Sequence, residues 1–270
     1  MLSPLYGQLS PLRVPTRSRR NIVSDTDAEA YLQAVESADT SGLEQSVADA
    51  VNSFIVGCKS DGIWSAIKSS CILAGARTLS GALVPLVGTA PTNANFVSGD
   101  YNRKTGLLGN GTSKYLNAQR AINADPQNSQ HYGVYVTEAP SFEVTRAFIG
   151  NAGATGVNNY ITATSALLSL SSRNSSINSS NQGNTTGYKG VSRSASNAWT
   201  SRTGGSTTSN TGASSVPNST AIGVFARGAA SSGNPTNARF SFYSIGENLS
   251  LALLDTRIAN LMTAIAAALP

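Results

Sequence analysis

Charge is scarce in this chain. Only 12% of its 270 residues are Asp, Glu, Lys or Arg, about half the share usual in soluble proteins. That excludes a polyelectrolyte tail or a histone-like packer of nucleic acid. Histidine is scarcer still. A single one, His131, cannot furnish a metal site built on several imidazoles, and any Ser-His-Asp or Cys-His arrangement would have to use it. It opens a predicted strand and reads as an ordinary surface or edge residue. The two cysteines, Cys58 and Cys71, are too few for a four-ligand zinc site and read as buried thiols. Uninterrupted apolar runs of the ~20 residues that span a bilayer are missing: Arg77 breaks one candidate, and Asp255 with Arg257 breaks the other. The N-terminus lacks the hydrophobic stretch of a secretory signal. A soluble chain without membrane insertion is expected.

Sequence signatures of catalysis are equally thin. There is no G-x-S-x-G elbow, and the segment Gly109–Lys114 has the composition of a phosphate loop in the wrong order. Gly150, Gly153 and Gly156 suit a hairpin loop better than a dinucleotide fingerprint. No cofactor or metal is expected. Glycoside hydrolysis needs two carboxylates facing one bond, and Glu138 with Glu143, flanking Pro140, is the pair the sequence offers. Isolated surface acids at a turn explain them more simply, so the chain is read as non-enzymatic.

What replaces charge is Ser, Thr, Asn and Gly, which make up 36 of the 50 residues from 171 to 220. The charges present fall into three zones. Residues 1–20 hold four arginines (Arg13, Arg17, Arg19, Arg20) and no acid. Residues 21–58 hold seven acids and no base, and the remainder is basic. The first zone has two Ser-Pro-Leu repeats and Pro15, so it reads as an extended arm. Leu5, Tyr6, Leu9, Leu12 and Arg13 make it a candidate anchoring peptide that docks along another subunit or a partner; a strap across its own domain or a disordered end is the alternative. Its arginines lack interleaved aromatics, and the acidic neighbour would repel phosphate, so no nucleic acid is expected.

Residues 21–80 read as short helices. Ala28, Tyr31, Leu32 and Val35 follow a helical period, and Ser41 with Glu44 has the spacing of a capping box. Asp61 is the expected cap of a third helix carrying Ile63, Trp64, Ile67 and Cys71. From residue 81 onward, short apolar or alternating runs between Gly/Asn/Ser/Thr clusters read as strands. These are 83–87, 114–117, 131–138, 146–150, 166–171, 198–202, 221–227 and 238–245. Leu251, Leu254, Ile258, Leu261 and Ile265 form the seam of a closing helix over about 249–269. The fold class expected is mainly β, a β-sandwich with an N-terminal extended arm, short helices and a C-terminal helix. Tyr160, Tyr188 and Trp199 are candidate glycan contacts, with Tyr243 beside them; cross-strand aromatic packing is the competing role.

Two stretches carry a resemblance. Lys104-Thr-Gly-Leu-Leu-Gly-Asn-Gly-Thr-Ser-Lys-Tyr-Leu116 resembles the opening strands of concanavalin A-like lectin/glucanase (laminin-G-like) jelly rolls. Phe242-Tyr-Ser-Ile-Gly-Glu-Asn-Leu249 resembles their closing strand. Together with the helical segment, the run Cys71–Leu79 and the opening SPLYGQLSPLRVPT, the chain is similar to structural proteins of tailed bacteriophages. The glucanase Glu-x-Asp-x-Glu motif and the metal-holding cluster of legume lectins are both missing, so no functional residue transfers. The resemblance implies a jelly-roll form of the β-sandwich and a virion structural protein on the particle exterior, as a tail fibre or host-adhesion module or as a capsid decoration protein. Its implied partners are other virion proteins, copies of itself as a trimer, and a host surface glycan.

Overall fold

Helical-period and alternating segments separate into three stacked layers. The computed structural model describes residues 25–141, 144–151, 158–174, 177–230 and 233–270. The proposed anchoring residues Leu5, Tyr6, Leu9, Leu12 and Arg13 lie outside the described residues, as does Glu143.

The first layer is helical. In α1 (Thr26–Asp39) the Asp25 carboxylate accepts from the amides of Asp27 and Ala28, and the helix buries Ala28, Tyr31, Leu32 and Val35. An acidic cap suits the positive end of the helix dipole. α2 (Gln45–Ser60) buries Val47, Val51, Phe54 and Ile55. A single turn, α3 (Leu79–Ala82), is capped by Thr78. α4 (Leu251–Ala268), capped by Ser250, buries the whole expected seam: Leu251, Leu254, Ile258, Leu261 and Ile265. By length and composition α4 is apolar enough to cross a membrane. Here its seam packs on α2 and the sheet beneath, while Asp255 and Arg257 pair with Arg202 and Asp61.

The second and third layers are antiparallel sheets, with strands numbered along the chain. The first sheet runs β13 (Ser206–Thr211), β12 (Ala198–Thr203), β11 (Gly187–Arg193), β6 (Gln130–Glu138), β15 (Arg239–Gly246), β4 (Gly106–Leu108) and β3 (Tyr101–Asn102). β1 (Ile67–Ile72) also pairs with β15. The second sheet runs β10 (Asn178–Ser180), β9 (Leu167–Asn174), β8 (Asn158–Thr164), β7 (Arg146–Gly150), β14 (Ala221–Val224), β5 (Tyr115–Ala121) and β2 (Thr92–Ala94). The two sheets face each other across a core of Leu116, Val134, Val136, Phe148, Ile161, Leu168, Leu170, Val191, Trp199 and Phe240. A second core lies between the first sheet and the helices. β15 feeds both: a register shift between Phe240 and Phe242 turns Phe240 to the inter-sheet core and Phe242 to the helices, edge-on to Phe54 at 5.5 Å.

Three local expectations fail. The third helix is replaced by one 3-10 turn, Trp64–Ala66, followed by β1, because Ser69 to Ile72 pair with β15 and extend the sheet. Asp61 closes α2 and forms an ion pair with Arg257. The run 83–87 is not a strand: Leu83 follows α3, and only Val87 makes an isolated bridge, to Ser70. The capping box also does not form. Glu44 occupies the cap position without a side-chain cap bond, and its carboxylate instead meets Arg103 and Arg77. The helical segment and the sandwich are therefore continuous, with β1 carrying residues 67–72 into the first sheet.

Candidate functional site

Two sheets present four faces. Two of them form the inter-sheet core, and the helices cover the outer face of the first sheet. Among the described residues no helix covers the outer face of the second sheet. Alternation along its strands decides what stands there. On β8, Ile161 and Ala163 enter the core, so Tyr160, Thr162 and Thr164 point outward. The register pairs Tyr160 with Ser171, Thr162 with Ser169 and Thr164 with Leu167, and Ser169 in turn with Ser179. In this row Ser171 is fully buried with its hydroxyl donating to Asn174, and Thr162 is buried, whereas Thr164 and Leu167 are exposed and Tyr160 and Ser169 half-buried.

Tyr160 is half-buried. The Arg227 guanidinium lies over its ring, 5.4 Å from the centroid. The chain after β14 places it there by folding back: the Arg227 amide donates to Gly233 and the Gly228 amide to Gly150. Gly150 and Gly223 pair across the sheet next to Tyr160, and a Cβ on Gly223 would stand 2.1 Å from the Gly228 carbonyl oxygen. These two small residues let the return segment approach the sheet. Among the described residues Arg227 has no carboxylate partner, and its Nε is buried without a hydrogen bond.

The other aromatic candidates sit elsewhere. Trp199 is 2% and Tyr188 3% exposed. Trp199 fills the inter-sheet core, and Tyr188 lies under the helices. Neither ring presents a face to a sugar. Both faces of the first sheet are covered, so each ring meets a layer, Trp199 the facing sheet and Tyr188 the helices. Tyr243 is likewise buried, with its hydroxyl 3.3 Å from Cys71 Sγ.

The groups suited to catalysis are engaged. His131 is fully buried rather than an edge residue. Its Nδ1 lies 2.5 Å from the Glu247 carbonyl and so donates, while Nε2 lies 2.6 Å from Ser244 Oγ and accepts. Burial lowers its pKa to about 4, which keeps the ring neutral at physiological pH. Burial pushes Cys58 and Cys71 up to about 12, so neither is a thiolate nucleophile, and both are free. Glu138 is bonded to Arg239 at 3.0 Å, Asp100 to Lys114 at 2.5 Å, and Asp125 to Arg120 at 2.5 Å. No cluster of three or more metal-ligating side chains occurs among the described residues.

No protein-family model matches the chain, and no curated protein does. Solved structures do resemble it. A Trypanosoma rangeli sialidase in complex with 2,3-difluorosialic acid aligns at 10% identity and a TM-score of 0.49, over 87% of this chain and 38% of that one. The botulinum neurotoxin serotype D binding domain aligns at 11% identity and a TM-score of 0.42, over 72% of this chain and 51% of that one. Tailspike protein 2 of Escherichia coli O157:H7 bacteriophage CAB120 aligns at 12% identity and a TM-score of 0.39, over 60% of this chain and 25% of that one. The chain thus spans between a quarter and about half of each. Likeness at this level transfers no residue and no activity.

Proposed function

We propose that the chain is a non-enzymatic binding module of a tailed-phage virion, held to the particle through its N-terminal arm and helices and presenting the second sheet outward as a fibre or host-adhesion surface. The observation that carries the binding role is the outer face of the second sheet, uncovered by helices among the described residues, where Tyr160, with Arg227 over its ring, stands in a row with Thr164 and Ser169. Ser and Thr hydroxyls both donate and accept with sugar hydroxyls, and the Tyr160 hydroxyl and the Arg227 guanidinium over its ring add polar groups to the same face. Arg227, without a carboxylate partner among the described residues, adds a positive donor set. The ligand class this favours is a carboxylate-bearing glycan. The binding reading gains over the enzymatic one because Glu138 is bonded to Arg239 and His131 is sealed in the interior.

A glycan array probed with the purified chain, with released sugar monitored in parallel, tests this. Binding to acidic glycans is expected, weakened at least tenfold in Tyr160→Ala and Arg227→Ala, with no sugar released. Equal binding by both variants, or turnover by the wild type, would overturn it.

A further inference from the structure

Four strands end the two sheet paths and three of them are short, while β1, beside β15, is bridged on its other side by Val87. β3 has two residues, and β2 and β10 have three each. The fourth, β13, is different: six residues, Ser-Thr-Thr-Ser-Asn-Thr, of which all but Asn210 are exposed. Open edges are ordinarily blunted by charge, proline, a bulge or brevity. β13 has none of these, and its pairing with β12 runs in unbroken register from Thr211 to Ser206. Among the described residues nothing pairs with its other side.

The outward backbone groups follow from the hairpin. Thr203 and Ser206 close a two-residue turn at Gly204 and Gly205, with φ of 56° and 75°. A two-residue turn makes the closing pair a hydrogen-bonded one, so the even-numbered residues of β13 bond to β12. The Gly212 amide, which donates to the Asn197 carbonyl at 3.0 Å, continues the same parity. The N–H and C=O groups of Thr207, Ser209 and Thr211 therefore face away from the sheet. The strand itself is held rigid. Arg202, paired with Asp255 of α4, donates to Thr207 Oγ1, and Asn210 is bonded to Asn178 of the second sheet at 2.6 Å and to Ser201.

We infer that β13 is a self-association edge: two copies of this chain pair their β13 strands antiparallel about a twofold axis at Ser209, joining two first sheets into one. The strand is its own complement. With Ser209 opposite Ser209 of the second copy, Thr207 meets Thr211, and Thr208 meets Asn210. Every cross-strand pair is then hydroxyl or amide, with no like charges opposed. The three outward residues of each copy supply about six backbone hydrogen bonds. A charged peptide would find no charge to recognise on this edge, whereas a second copy finds an identical one.

Sedimentation velocity on the full chain, well above micromolar concentration, tests the pairing. The wild type is expected at twice the monomer mass. Ser209→Pro removes only an outward N–H, leaves the bonds to β12 intact, and is expected to halve that mass. Ser209→Lys and Ser209→Glu keep the backbone amide; each alone is expected to be monomeric, and an equimolar mixture to restore the dimer, which also covers the case where the proline variant does not fold. A monomeric or trimeric wild type, an unchanged mass in Ser209→Lys, or no reassociation in the mixture would overturn the inference.

Discussion

Tyr188 covers Gly133. The ring of this β11 residue lies across the cross-strand pair Gly133–Gly190, and a Cβ on either glycine would stand 2.5 Å from its hydroxyl oxygen. The glycines open a slot on the helix side of the first sheet, and the tyrosine fills it, replacing the contacts that two missing side chains would have made. Among the described residues the hydroxyl itself is buried without a hydrogen-bond partner.

The slot makes paired predictions. Gly133→Ala should destabilise by about 1–3 kcal/mol through overpacking against Tyr188 and the Lys189 carbonyl. Tyr188→Phe removes an unsatisfied polar atom and should stabilise by about 1 kcal/mol, or raise Tm by roughly 2–4 °C. Thermal melts of the two variants beside the wild type check both signs.

His131 makes stability acid-sensitive. Its folded pKa is about 4 against an ordinary 6.5, so between those values the unfolded chain binds the extra proton. Stability is therefore complete above pH 6.5 and falls as pH drops toward 4, by about 3 kcal/mol in total. Urea unfolding at steps between pH 4 and pH 7 should show that slope, and His131→Gln should flatten it. A wild-type curve level across the range would contradict the buried neutral ring.

Lys189 acts in the alkaline range. It is buried, its Nζ donates to the Gln182 carbonyl and Thr185 Oγ1, and burial lowers its pKa from 10.5 to about 8. Here too the unfolded chain holds the extra proton, so stability should rise as pH climbs from about 8 toward 10.5. Lys189→Met should abolish that rise, as read by denaturant midpoints at pH 7.5 and pH 9.5.

Deleting residues 1–20 separates attachment from folding. The described cores are built from Ala28 onward, so the truncated chain should melt within a few degrees of the wild type. Particle incorporation, read by immunoblot of purified virions, should be lost. Normal incorporation would overturn the proposed anchoring role of Leu5, Tyr6, Leu9, Leu12 and Arg13.

Local pattern was a good guide wherever the pattern was long. The seam from Leu251 to Ile265 and the face from Ala28 to Val35 each repeat a helical period over two or more turns, and both are buried as read. The strand 146–150 is bounded as its sequence suggests. Short ambiguous runs were not legible. Ile63 to Cys71 fits a helical stripe by spacing, yet its second half pairs with β15, a strand more than 170 residues distant in the chain. Such a pairing leaves no local trace.

For the candidate site the division is sharper. That Tyr160, Tyr188 and Trp199 alternate with small polar residues is written in the sequence, and so is the poverty of catalytic groups. Which side of its sheet each ring faces, and whether that side is covered, depends on where the helices lie. They lie on the first sheet, so Tyr188 and Trp199 are enclosed by a layer or a facing sheet while Tyr160 stays half-buried under Arg227. Composition and period set the kinds of element and the neutral, hydroxyl-rich surface, because those are properties of neighbouring residues. Only the tertiary packing of layers decided which aromatic is a surface and which is a core, because burial is a relation between segments that the chain order keeps apart.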